Sequence, residues 1–148
     1  MRRSPVTWFI WGGMWGWVWL VMFQLPGLAV GSESSEIEVV KTSPAYGEEV
    51  QNLKDLVITI RFNREMDPSI QEDFLLDQRG ATDAQGNPVE ITGQFTWPDP
   101  KTLQFKPKGA LKPNATYQIS LFSVRTQDGE EMEDVPFRLV FTTGLGKQ

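Results

Sequence analysis

Carboxylates are the side chains in this sequence most able to do chemistry, and two groups of them have the oxygen ligands that Ca²⁺ prefers. Asp128-Gly129-Glu130-Glu131-Met132-Glu133-Asp134 holds five acidic residues in seven. Asp128, Glu130, Glu133 and Asp134 are the first candidates for a cation. Their spacing is not that of an EF-hand loop, and neither is that of Asp83-Ala84-Gln85-Gly86-Asn87. A hairpin turn at Asp128-Gly129 leading into a solvated acidic loop accounts for the same residues. Glu65-Met66-Asp67-Pro68 is the second group. Either Glu65 and Asp67 help hold Ca²⁺, or Asp67 caps one helical turn opened by Pro68 while Met66 plugs the edge of a core. Paired carboxylates also hydrolyse glycosides. Nothing in the sequence sets two of them in an apolar cleft, so the chain is expected not to be an enzyme.

The residues that are missing exclude more. The 148 residues include no Cys and no His. That removes disulfides, thiol nucleophiles and thiolate metal sites. It also removes an imidazole base and the ordinary zinc or copper sites. No cofactor is expected, Ca²⁺ aside. Trp97, between Thr96 and Pro98-Asp99-Pro100 at a strand end, is the candidate contact for a ligand or partner. Exposed, it would stack on a sugar or anchor a protein; otherwise it packs at a core edge.

Residues 1–31 are expected to place the domain outside the cytoplasm. Arg2 and Arg3 precede an uncharged apolar run from Val6 to Phe23, then Pro26-Gly27 and the small residues Ala29-Val30-Gly31. That is the layout of a secretory signal peptide, and an uncleaved membrane anchor is the alternative. Membrane attachment is expected only if residues 6–23 stay uncleaved. With Arg2 and Arg3 removed, 12 basic residues face 19 acidic ones, a net charge of −7. Such a balance argues against nucleic acid or anionic lipid as a partner. The remaining 117 residues or so suit a single domain.

Residues 32–36 read as a polar leader, 37–144 as the domain and 145–148 as a tail. The domain is a series of short runs of period-2 apolar patterning. They span 37–42, 56–62, 74–77, 89–97, 102–105, 116–124 and 137–143. Pro-, Gly-, Asn- and Asp-rich turns separate them. The expected fold is an all-β, seven-stranded immunoglobulin-like β-sandwich. Its core is expected to hold Ile58, Ile60, Phe62, Leu103, Phe105, Tyr117, Ile119, Leu121, Leu139 and Phe141. Leu111-Lys112-Pro113-Asn114-Ala115-Thr116-Tyr117 has the pattern of a tyrosine corner, in which Tyr117 bonds back to upstream backbone. Structural roles are therefore expected for Leu111, Pro113, Tyr117, Phe62, Met66 and Asp67.

Four blocks resemble the bacterial Ig-like domain of S-layer and other surface proteins. They are Val40-Lys41-Thr42-Ser43-Pro44-Ala45-Tyr46-Gly47, Ile58 through Pro68, Thr102 through Pro107 with Leu111 through Tyr117, and Phe137 through Gly144. The resemblance implies a non-catalytic module of the envelope, periplasm or medium, acting by protein–protein contact or as a structural element. A module that binds carbohydrate or Ca²⁺ is the alternative. Ser43-Pro44-Ala45-Tyr46-Gly47 is similar to the opening of periplasmic copper-resistance carriers, which are related in fold, as are internalin Ig-like domains. Those carriers bind copper through His, one of them typically the mature N-terminal residue. Here Ser32 would hold that place, and Met66 with Met132 would make a poor thioether site. No copper is expected.

Overall fold

The computed structural model describes residues 36–145. The segment expected to be a signal peptide, most of the polar leader and all but the first residue of the tail lie outside them. Two sheets are formed, of four and five strands. In chain order the strands are β1 (Val39–Ser43), β2 (Glu49–Val50), β3 (Ile58–Phe62), β4 (Phe74–Thr82), β5 (Pro88–Glu90), β6 (Gly93–Asp99), β7 (Thr102–Pro107), β8 (Thr116–Leu121) and β9 (Phe137–Thr143). One sheet runs β1-β3-β7-β6 and the other β2-β9-β8-β4-β5. Every pairing is antiparallel except β2 with β9. Among the described residues one 3-10 helix, Pro68–Asp73, interrupts the strands.

The all-β sandwich expected from the alternating pattern is the observed fold, with nine strands where seven apolar runs were counted. The run at 89–97 is two strands in different sheets. The chain leaves β5 through a bond from the Ile91 N–H to the Leu76 carbonyl (2.7 Å) and enters β6 at Gly93. A Cβ at position 93 would collide with the Lys106 carbonyl and the Phe105 ring, so glycine permits the crossing. The apolar alternation continues unbroken because both sheets face one core. Strand β2 has only two residues, too few to show a period. Strand β4 runs to Thr82, five residues beyond its apolar start, as a hairpin with β5 whose polar outer half is invisible to apolar patterning.

All ten side chains expected in the core are buried. Ile58, Ile60 and Phe62 of β3 face inward, as do Leu103 and Phe105 of β7, across from Tyr117, Ile119 and Leu121 of β8 and Leu139 and Phe141 of β9. Three aromatic rings join the sheets. Phe74 of β4 lies 4.8 Å from Phe105 of β7 and 5.3 Å, edge-on, from Phe95 of β6; Phe95 and Phe105 are 4.9 Å apart. Such pairs add to the benefit of burial alone.

The tyrosine corner closes one end. The Tyr117 hydroxyl accepts the Lys112 N–H at 2.9 Å, and its ring stacks on Phe141 at 5.7 Å. Leu111 is buried, Pro113 is exposed in the turn, and Asn114 takes a left-handed φ of 55°. The Thr143 hydroxyl donates to the Lys112 carbonyl (2.6 Å) and accepts the Ala115 N–H (3.0 Å), tying the corner to β9. Tyr117→Phe is expected to cost about 1 kcal/mol, the usual net value of one hydrogen bond. Phe141→Ala is expected to cost about 3–5 kcal/mol through lost burial and a residual cavity. Urea denaturation of both variants measures the difference.

Candidate functional site

At the end of the sandwich opposite the corner, three loops are bound together through Met66. Its backbone N–H donates to the Pro100 carbonyl at 2.8 Å, and its side chain is fully buried. The Asp67 N–H donates to the Arg125 carbonyl (2.9 Å), and the Gln127 N–H to the Glu65 carbonyl (3.1 Å), so residues 65–67 form an antiparallel bridge with 125–127. The Phe62 N–H reaches the Lys101 carbonyl at 2.8 Å. Backbone bonds thus fix the loops at 63–67, 99–101 and 125–127 against each other, and the apolar Met66 fills the space beneath them.

Asp67 does what a cap residue does. Its Oδ1 accepts the Ser69 N–H at 2.9 Å, and Pro68 opens the 3-10 helix. Its Oδ2 lies 3.4 Å from the Arg125 guanidinium, which also donates to the Ser69 hydroxyl at 3.1 Å. The Ser69 backbone N–H, then the Ser69 hydroxyl, and after them Arg125 hold its carboxyl below the ordinary value. Asp99 is arranged similarly in the next loop. It accepts the Lys101 N–H (2.8 Å) and the Thr102 hydroxyl (3.0 Å), and these bonds, with the nearby charge of Arg61, lower its pKa. Glu65 is exposed.

Trp97 is half-buried and packs against the core. Its indole N–H donates to the Gln71 side chain at 3.3 Å, which leaves the rest of the ring to line an open cleft of about 290 Å³. The other walls are Met66, Pro68, Pro98, Asp99, Pro100 and Gln127. The cleft therefore brings together two expected site residues, Trp97 and Met66, beside the capping Asp67. Sequence reading missed Gln71, Arg125 and Gln127, because each is a lone polar residue whose role appears only when distant loops meet.

The acidic segment forms a tight hairpin. The Gly129 N–H donates to the Thr126 carbonyl (3.0 Å), the Thr126 N–H to the Glu130 carbonyl (2.9 Å), and Gly129 holds a φ of 91°. This is a three-residue loop with a left-handed last position. Glu130 pairs with Arg64 at 3.0 Å. Asp128, Glu133 and Asp134 are exposed. Among the described residues no three acidic side chains converge on a point that could hold a metal ion. The candidate Ca²⁺ ligands Asp128, Glu130, Glu133 and Asp134 are thus not brought together, because the turn spreads them along its rim and Glu130 is drawn to Arg64.

Comparison with known proteins agrees with this architecture. The bacterial Ig-like domain family matches residues 33–143, and the chain belongs to it. No curated protein sequence matches significantly. Among solved structures, PcoC, a methionine-rich copper resistance protein from Escherichia coli, is 17% identical, with a TM-score of 0.56 over 74% of this chain and 99% of that one. The N-terminal part of the bacterial S-layer protein SbsC is 14% identical, with a TM-score of 0.50 over 74% of this chain and 24% of that one. An L,D-transpeptidase from Mycobacterium smegmatis is 20% identical, with a TM-score of 0.49; this chain spans 41% of its length. At these identities the likeness concerns the fold.

Asp67, Asp83 and Asp99 are all held below the ordinary carboxylate value of 3.8; for Asp83 the largest cause is the Asn87 backbone N–H. A lowered folded-state pKa gives stability that is present above the unfolded value and lost as pH falls through the folded one. The melting temperature should therefore fall as pH drops below the ordinary value of 3.8, and Asp99→Asn should weaken that dependence. Asp77 on β4 has the opposite sign, because burial raises its pKa against the pull of Arg79. Asp77→Asn should raise the melting temperature at neutral pH and lose its advantage in acid. Thermal melts across pH check both.

Proposed function

We propose that this chain is an exported, non-enzymatic Ig-like module that works by protein–protein contact or as a structural element of the cell envelope. The observation that carries the reading is the loop end around Met66. Backbone bonds from three separate loops preset its shape, and Trp97, Pro98 and Pro100 give it an apolar surface. A pre-organised aromatic site loses little entropy when it captures a partner. The carboxylates there support a non-catalytic role. Asp67 and Asp99 are occupied by turn N–H groups and stay ionised, unlike a general acid poised near the working pH. Family membership supports a periplasmic or surface location, in line with the apolar leader at 6–23.

A second reading rests on the same ring. Trp97 lines an open cleft, and an aromatic face stacks well on a sugar, so a neutral envelope glycan is the alternative ligand.

A photo-cross-linking residue placed at Pro98 or Gln127, in the native cells, tests the proposal. It should capture one dominant envelope protein, whereas the same group at Lys112, at the opposite end, should not. Trp97→Ala should abolish the adduct. Equal labelling at both ends would sink the partner reading. So would no adduct at either end together with retention on an envelope-glycan column lost in Trp97→Ala, which would establish the sugar reading.

A further inference from the structure

The acidic balance of the chain conceals a segregation of charge. Strands β1, β3 and β7 contain no Asp or Glu, and β6 contains only Asp99, its last residue. The register shows what this sheet presents outward. Lys41 stands directly opposite Arg61, and Lys106 opposite Gln94. Between those positions runs an uncharged polar row, Ser43, Thr59, Gln104 and Thr96, joined by direct pairing across all four strands. Lys101 and Lys108 flank β7 and are exposed, as are Lys41, Arg61 and Lys106. Among the described residues Lys41, Lys106 and Lys108 make no ion pair. Like charges directly opposed across two strands are destabilising; Arg61 is offset by Asp99, whose carboxyl it helps hold below the ordinary value, whereas Lys41 has no ion-pair partner among the described residues.

A cleft of about 590 Å³ adjoins this face. Thr92, Gly93, Gln94, Lys106, Pro107 and Lys108 line it. Two unpaired ammonium groups and an amide thus border a space large enough for a sugar residue. From Lys106 to the row of Lys41 and Arg61 is about 13 Å along the strands, four residues at ~3.3 Å each.

We propose that this sheet face and its cleft bind an acidic polysaccharide. A sugar carboxylate sits between Lys106 and Lys108, hydroxyls lie along the Ser43-Thr59-Gln104-Thr96 row, and a later carboxylate meets Lys41, with Arg61 shared between it and Asp99. Charge complementarity selects an anion, and the rest of the face selects its kind. The one large exposed apolar residue on these strands is Val40, at the bulged edge of β1. Protein interfaces have a desolvated apolar or aromatic centre, which this face lacks. Nucleic acid carries a far denser charge than a few separated cations can match. A few cations separated by hydroxyl and amide groups match a polymer charged at intervals. The inference goes beyond the partner reading and does not draw on the Trp97 cleft.

The test is retention of the full chain on immobilised alginate, a polyuronate, with neutral dextran, duplex DNA and phosphatidylglycerol vesicles in parallel. Alginate should retain it at low salt, and affinity should fall ~10-fold or more as salt is raised, as for any contact that releases counterions. Lys41→Glu with Lys106→Glu should weaken retention ~10-fold or more. Arg79→Glu with Arg138→Glu, an equal charge change on the other sheet, should alter it by less than ~2-fold if the contact is local. Thermal melts verify folding, and Lys41→Gln with Lys106→Gln replaces the first pair if it fails to fold. No retention on alginate, equal losses from both pairs, or tighter binding to DNA or vesicles than to alginate would each overturn the proposal.

Discussion

The structure depends on apolar contact between two sheets that no covalent bond joins. Without cysteine, no cross-link holds them face to face, and packing carries that load. The joint is made by the Phe74–Phe95–Phe105 cluster, which takes rings from both sheets, and by the fully buried Phe62, Ile119 and Phe141. About 110 residues are enough to make such a core self-sufficient. Each end then has its own fastening. Tyr117 closes one by returning its hydroxyl to the Lys112 N–H. Met66 closes the other, filling the edge of the core while its backbone links two neighbouring loops.

That division of labour explains why the ends differ. The corner end spends its polar groups on itself, since the Tyr117 and Thr143 hydroxyls both serve the backbone of 112–115. The Met66 end also satisfies its backbone, but it leaves Trp97 and three prolines around an open cleft. Rigid elements that present a few apolar groups are how a β-sandwich supports recognition without moving parts.

Much of this was legible in the sequence, for a specific reason. Period-2 patterning reports which side of a strand meets the core, so Ile58, Ile60 and Phe62, like Leu139 and Phe141, could be named in advance. The tyrosine corner and the Asp67-Pro68 cap were legible because each is local, formed by residues close together in the chain. Patterning does not report which sheet a strand joins. The crossing at Ile91-Thr92-Gly93 was therefore hidden, because Ile91 and Phe95, on either side of it, pack against the same core. The cleft was hidden for a related reason, since Trp97, Pro68 and Gln127 are far apart in the chain. Net charge misled most. A charge of −7 beyond Arg2 and Arg3 gave no hint that Lys41, Arg61 and Lys106 share a sheet whose one strand carboxylate is Asp99, because only the register places them together.

A recognition surface preset at the Met66 end requires that end to be as rigid as the strands. Native-state hydrogen exchange tests it most directly. The amides of Met66, Asp67 and Gln127 should be protected to about the same degree as those of Ile60 and Ile119, since each donates to a carbonyl of another loop. Exchange at those three positions at the rate of an unstructured peptide, with the strands still protected, would contradict the account.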